Sequence, residues 1–293
     1  MTDCFVWLDG LPHPNPSPKG EGLAEASGWQ KSPSPSGEGL GWGRPIMITI
    51  PPIWSLALFG ALFGAIIGSF VATLVLRWPA GQSVARGRSA CDGCGKALSA
   101  IDLVPLASFV AYRGRARCCG APIAGLHPLT EALAAAIGAA AFGLAPMPDA
   151  LAGALFGWIL LTLALLDWRH LWLPEPLTIG LAIAGLAIGW LGIGAPLPDR
   201  LIGGIAGFVV FEAIRLGYRW LRGREGMGGG DVRLFGAIGL WLGWRALPIV
   251  LLMASLAGLA WALVLVVGRK GPVGKVPFGA FLSLAAWLVW LIP

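Results

Sequence analysis

From Ile53 onward the chain is a succession of apolar stretches, each close to the ~20 residues a helix needs to cross the hydrocarbon core of a bilayer. They fall at 53–76, 129–146, 149–166, 177–195, 201–217, 231–243, 247–268 and 276–292, the sixth being short. Lipid cannot satisfy backbone N–H and C=O groups, so segments of this kind cross a membrane as helices. Composition agrees: 56% of residues are hydrophobic and 12% charged, against roughly a quarter charged in a soluble domain. An ordinary soluble protein is excluded. The expected fold is an all-α polytopic membrane protein with about eight transmembrane helices.

The boundaries follow from composition. Residues 1–46 are rich in Pro, Ser and Gly, and Asn15–Leu23 (NPSPKGEGL) nearly repeats as Ser32–Leu40 (SPSPSGEGL). Such a tract buries too little apolar surface to fold and is expected to be disordered. It lacks the order of basic end, apolar run and small-residue site that marks a signal peptide, and Met47 is a candidate start. Residues 47–76 form the first transmembrane helix, 77–127 a small polar domain too long for a turn, and 128–293 the remaining helical domain.

Net charge is +6, which in a membrane protein reports topology rather than nucleic-acid binding. With the 77–127 domain in the cytoplasm, the inside segments hold Arg77, Arg86, Arg88, Lys96, Arg113, Arg115, Arg117, Arg169, Arg215, Arg219, Arg222, Arg224, Arg233, Arg269, Lys270 and Lys275. The outside loops hold only Arg200 and Arg245. This asymmetry predicts a multi-pass protein of the bacterial cytoplasmic (inner) membrane with the polar domain inside.

Cys91, Cys94, Cys118 and Cys119 all fall in that domain. A reducing compartment disfavours disulfides, so metal ligation is expected, with zinc as the ion. Cys91-Asp92-Gly93-Cys94 has the spacing that aims two thiolates at one tetrahedral ion. The second pair is irregular, adjacent where a two-residue gap is usual, so Cys118 or His127 is left to complete the shell around Cys91, Cys94 and Cys119.

Ionisable residues at the ends of membrane helices are functional candidates. Asp167 ends the third stretch and Asp231 opens the sixth, and the topology puts both at the cytoplasmic end, where they can meet. Two carboxyls sharing a proton can act as base toward water and acid toward a scissile carbonyl. Gly228, Gly229 and Gly230 before Asp231 suit close approach of an extended peptide. Glu212 and Arg215, three apart, predict an ion pair within the fifth helix. The tryptophans are expected mostly in interfacial belts.

These residues resemble the prepilin peptidases (type IV leader peptidases), membrane aspartic proteases with a Gly-x-Gly-Asp motif. Gly228-Gly229-Gly230-Asp231 with Val232-Arg233-Leu234 is similar to that motif, Arg standing where Lys is common. Asp167 with Leu173-Pro174-Glu175 resembles the first catalytic aspartate and its downstream Leu-Pro-Asp. Gly68-Ser69-Phe70 with Arg77-Trp78-Pro79 resembles the end of the first helix, with Ala72 for Asn. Cys91, Cys94 and Cys119 fall on three of four cysteine positions, Ala116 on the other. His127-Pro128-Leu129-Thr130-Glu131 resembles Tyr-Pro-x-x-Glu, and Pro277-Phe278-Gly279 a C-terminal signature.

The resemblance implies cleavage of the basic leader of type IV pilin or type II secretion pseudopilin precursors, after a glycine and at the cytoplasmic face, with Asp167 and Asp231 as the catalytic pair. It also implies N-methylation of the new N-terminus from S-adenosylmethionine, an activity tied to the cysteine domain. Glu131 is assigned either to methyl transfer or, preferably, to holding that domain. The partners implied are prepilins and membrane lipid, without nucleic acid. Two other classes stand beside this reading: a non-catalytic scaffold recruiting a partner through the cysteine domain, and a transporter using the acids as a proton relay.

Overall fold

A computed structural model describes residues 53–82, 90–91, 93–224, 226–268 and 276–292. The chain divides into two units, Met1–Thr49 and Ile50–Pro293; the following concerns the second. The tract 1–46 and the candidate start Met47 lie outside the described residues, as do Arg86, Arg88, Arg269, Lys270 and Lys275 of the charge asymmetry.

The helices are α1 (Ile53–Arg77), α2 (Ala107–Ala111), α3 (Leu126–Leu144), α4 (Asp149–His170), α5 (Glu175–Trp190), α6 (Leu197–Arg222), α7 (Gly229–Leu242), α8 (Leu247–Val267) and α9 (Phe278–Leu291), with 3₁₀ turns at Ala100–Leu103 and Trp244–Ala246. Setting aside short α2, these follow the eight apolar stretches in order. Helix ends depart from the apolar runs in both directions: α4 and α6 run on past them, whereas α5 stops at Trp190 and α9 lies within its run. α4 runs on to His170, where Arg169 and His170 face the negative end of the helix dipole and Leu171 closes it in the left-handed conformation. Among the described residues the only β pairing is two isolated bridges, Ala90 with Ala97 and Arg115 with Pro122.

Among the described residues four helices are long and apolar enough to cross a membrane: α1, α4, α6 and Trp244–Val267. α7 and α9 have 14 residues each, and such a helix rises only about 21 Å against a core of about 30 Å. α7 ends at Gly243, whose φ is 79°, and its packing is that of an enclosed helix. Val232, Leu234, Phe235, Ala237, Ile238 and Trp241 are all buried, so it runs through the protein interior. α8 is the opposite, with Leu252, Leu256, Leu259 and Leu263 facing outward, an apolar surface suited to lipid.

The core joins α4 (Phe156, Leu160, Leu163), α7 (Leu234, Ile238) and α9 (Leu282, Ala285, Ala286). Two glycine contacts bring helices together at backbone distance. Gly60 on α1 faces Gly138 on α3, and Gly203 on α6 faces Gly239 on α7; a Cβ on any of the four would run into the opposite carbonyl. This is the small-residue packing that membrane helices use where no hydrophobic force drives them together.

The tryptophans divide. Trp54, Trp190 and Trp220 are exposed near helix ends, whereas Trp158, Trp241 and Trp287 belong to the core. The indole N–H of Trp158 donates to Ala134 O at 3.0 Å and that of Trp241 to Leu181 O at 2.6 Å. A buried indole is tolerated once its single donor is satisfied.

Candidate active site and metal centre

Asp167 sits in the last turn of α4 and Asp231 in the first turn of α7. Both are buried, at 6% and 9% exposure. They converge on a third element, the N-terminus of α9. The backbone amide of Ala280 donates to Asp167 Oδ2 at 3.0 Å. A Cβ built on Gly279 would lie 3.1 Å from Asp167 Oδ2 and 3.1 Å from Asp231 Oδ1. Two oxygens equally close to one point are separated by no more than twice that distance, so residues 64 positions apart in sequence share one site. Leu173 completes the wall: it is 2.7 Å from the same Cβ position through Cδ1, and 2.8 Å through its own Cβ from a Cβ on Gly230.

The three glycines before Asp231 are not equivalent. A side chain at Gly230 would meet the stem of Leu173, which cannot swing away, whereas at Gly228 or Gly229 nothing lies closer than 3.5 Å. None of the three is at positive φ. They provide space rather than unusual dihedrals. Glu175 of Leu-Pro-Glu lies 3.8 Å from Arg233, so the two positions that depart from the family pattern beside the dyad face each other. The Glu212–Arg215 pair forms as expected at 2.6 Å.

The cysteines occupy two matching knuckles. In the first, the amide of Cys91 donates to Lys96 O at 2.9 Å and that of Gly95 to Cys91 O at 2.8 Å; in the second, Ala116 donates to Ala121 O at 2.8 Å and Gly120 to Ala116 O at 2.7 Å. Gly95 and Gly120 share the same left-handed conformation, φ 72° and 73°. By this match Ala116 stands where Cys91 stands, Cys119 where Cys94 stands, and Cys118 takes the place of Gly93. The sulfur missing at 116 is supplied from 118. All four Sγ atoms lie within 4.8 Å of one another, with Cys91–Cys119 at 3.6 Å and Cys94–Cys118 at 3.4 Å.

These separations are far beyond a disulfide bond of about 2.05 Å. They match the roughly 3.8 Å edge of a tetrahedron with metal–sulfur bonds of about 2.3 Å. The donor set fits a tetrahedral metal ion. His127 is not part of the cluster; it lines a neighbouring cleft. Backbone amides of Gly93 and Cys94 pull the Cys91 thiol down to about 7, while Cys118, tied to the Cys94 sulfur, is pushed up to about 12. A bound cation would favour the thiolate form of Cys118.

Glu131 is buried at the start of α3, and its Oε2 accepts the amide of Leu106 at 2.8 Å. Leu106 is the N-cap of α2 and has φ 58°, so this carboxylate ties the cysteine domain to the helical domain. Three features escape sequence reading. Ala280 acts through a backbone donor that no side chain announces. Gly279 belongs to a signature whose place only the fold gives. Arg200, counted from sequence as a loop cation, is 2% exposed and donates to the carbonyls of Gly185, Ile193, Ala195 and Leu240.

Comparison with known proteins gives the chain a family. The type IV leader peptidase family matches residues 154–263, and the bacterial peptidase A24 N-terminal domain matches residues 62–144. The chain is 41% identical over 206 residues to a prepilin leader peptidase/N-methyltransferase of Aeromonas hydrophila, covering 70% of this chain and 71% of the relative. It is 39% identical over 208 residues to a protein of that name from Burkholderia pseudomallei (strain K96243), covering 70% and 67%. To that of Dickeya chrysanthemi it is 38% identical over 234 residues, covering 72% and 82%. No solved structure matches the chain.

Proposed function

The chain belongs to the type IV leader peptidase family, and from that premise we propose that it removes the basic leader of type IV prepilins or pseudopilins, cutting after a glycine at the cytoplasmic face of the inner membrane. The observation that carries this reading is the convergence of Asp167 Oδ2 and Asp231 Oδ1 on Gly279. Two carboxyls this close share a proton, since a second negative charge at the same site is costly. The ionised member takes a proton from water as its oxygen attacks the scissile carbonyl carbon. The protonated member gives its proton to the carbonyl oxygen; as the gem-diol collapses, the carboxyl that took the water proton passes it to the leaving nitrogen and the other carboxylate takes a proton from a diol hydroxyl, so the C–N bond breaks to give the leader carboxyl and a new amine and the dyad again holds one proton. Gly228 and Gly229 leave room beside Asp231 for an extended peptide. The Ala280 amide keeps Asp167 in register for the reaction.

The proposed topology has eight crossings or partial crossings, α1 and α3–α9, with the 77–127 domain in the cytoplasm. Zinc is the ion that the four sulfurs suit best; its role is to hold the domain together, since some 50 residues form a marginal core alone. The second activity borne by the relatives' name, N-methylation of the released N-terminus, is assigned here as well, with S-adenosylmethionine supplying an electrophilic methyl group when bound. The test is incubation of membranes containing this protein with a prepilin-like peptide, read by mass spectrometry with and without S-adenosylmethionine. Cleavage after the leader glycine is expected, and its persistence in Asp231→Asn would refute the dyad.

A further inference from the structure

The proposed substrate brings positive charge to a rim that is itself positive. Arg169 lies in the last turn of α4, Arg215, Arg219 and Arg222 follow one another toward the end of α6, and Arg233 stands on α7 two residues after Asp231. Arg215 reaches the glycine run itself, since a Cβ on Gly229 would lie 3.6 Å from its Nη1. Like charges repel, so a basic leader needs a carboxylate to settle beside the dyad.

Among the described residues of α4–α9, two carboxylates outside the dyad lie at this end, Glu175 and Glu212. They are not equally available. Both oxygens of Glu212 accept from Arg215, at 2.9 and 2.6 Å, so a neighbour on its own helix takes up its acceptors. The side chain of Glu175 is 59% exposed, and its 3.8 Å approach to Arg233 Nη1 is too long for a hydrogen bond. Arg233 Nε, which is buried, has no acceptor either. The two side chains are neighbours with no hydrogen bond between them.

Position favours the same residue. Glu175 opens α5 directly after Leu173-Pro174. Leu173 is the wall of the site, within reach of Gly230 and Gly279 at once, and two residues of chain span at most about 7 Å. Leu173 and Pro174 are buried while Glu175 is exposed, so the segment leaves the wall of the dyad and surfaces at this carboxylate. An extended peptide advances about 3.3 Å per residue. With the scissile carbonyl at the dyad, a basic side chain a few residues before the cut comes within reach of Glu175.

We propose that Glu175 is the specificity residue for the leader, forming an ion pair with a Lys or Arg that precedes the scissile bond by a few residues. The assignment rests on the peptidase reading above. In the free protein Arg233 stands beside the same carboxylate and is the competitor that the leader side chain replaces. Glu175 does not touch the reacting atoms, so it contributes to substrate binding and not to the chemical step, and its exposure limits the effect to that of a surface ion pair.

The test uses the full-length protein in detergent with two prepilin peptides, one carrying its basic leader residues and one carrying Gln in their place. Cleavage gives kcat and KM, and fluorescence anisotropy gives binding of the two leader segments alone. In Glu175→Gln, KM on the basic peptide should rise about fivefold with kcat unchanged, and KM on the Gln peptide should not move. Glu175→Lys should prefer a peptide with Glu at those positions. Arg233→Gln separates this role from a structural one: it frees Glu175, so KM on the basic peptide should fall or hold, whereas loss of a merely stabilising pair would raise it as Glu175→Gln does. Unchanged KM on the basic peptide or equal loss on both peptides in Glu175→Gln, or matching losses in Glu175→Gln and Arg233→Gln, overturns the assignment. A binding preference for the basic leader that Glu175→Gln removes, found while wild-type protein cuts neither peptide, sustains Glu175 and overturns the peptidase reading instead.

Discussion

The carboxylate of Asp167 and the backbone amide of Ala280 are joined by a 3.0 Å hydrogen bond across 113 positions of sequence. This bond makes the N-terminus of α9 the third wall of the site. First-turn amides of a helix have no partner within it, so α9 can spend one on a side chain at no cost to its own ladder. The residue before Ala280 must then be small, because it lies between the two carboxyls.

Gly279→Ala tests that requirement. Its methyl would sit 3.1 Å from both carboxylate oxygens and 2.7 Å from Leu173 Cδ1. Leu173 can rotate its end away, whereas the two acids can yield only by separating. Displacement of reacting groups on the order of 1 Å costs about 10²-fold in rate. The expected outcome is a kcat loss approaching that size with KM little changed, measured on a prepilin peptide in protein that inserts normally.

Asp167→Asn and Asp231→Asn should each abolish cleavage, and the double variant should be scarcely worse than either. Residues acting as one unit are non-additive in this way. Steady-state cleavage rates of the three variants decide it; independent, multiplying losses would argue against a shared-proton pair.

For the metal, Cys118→Ser should lower zinc content by elemental analysis, and Cys118→Ser with Ala116→Cys should restore it by returning the sulfur to the matching knuckle position. His127→Ala should leave zinc stoichiometry unchanged. Because thiolates must lose their protons to bind, the zinc-loaded fraction should fall on acidification. Full zinc retention in Cys118→Ser would show that three thiolates suffice.

Arg200 is expected to matter for stability rather than chemistry. Its guanidinium donates to four carbonyls contributed by α5, the α5–α6 loop and α7. Arg200→Met removes all four of those donors, leaving the loop carbonyls of Ile193 and Ala195 without them, and should cost about 3 kcal/mol or more. A clear drop in thermal unfolding temperature in detergent is the readout, while the cleavage rate per folded molecule should hold.

Much of this molecule is written locally. Helices α1 and α3–α9 follow the apolar stretches because the helix is the way a chain satisfies its own backbone away from water, and that rule reads off hydropathy alone. Gly228-Gly229-Gly230-Asp231, Asp167 with Leu173-Pro174, and Cys91-x-x-Cys94 were recognisable because their chemistry needs particular side chains at fixed spacing. The Glu212–Arg215 pair formed because residues three apart on a helix are neighbours wherever the helix goes.

What tertiary structure decided are the relations between distant elements. Hydropathy measures apolarity but not which neighbour removes it from solvent, so it does not tell that α7 is enclosed by protein while α8 faces outward. The same blindness made Arg200 a loop cation until the carbonyls around it were in place. Ala280 contributes an amide, which every residue but proline carries, so nothing in its identity marks it. Cys118 could be ranked as a ligand only once the two knuckles were superimposed in hydrogen-bond pattern, because adjacency in sequence argued against it. Local pattern fixes which chemical groups a chain owns and which helices they ride on; which of them meet depends on helix packing, and that is set by contacts such as Gly60–Gly138 and Gly203–Gly239 between residues far apart along the chain.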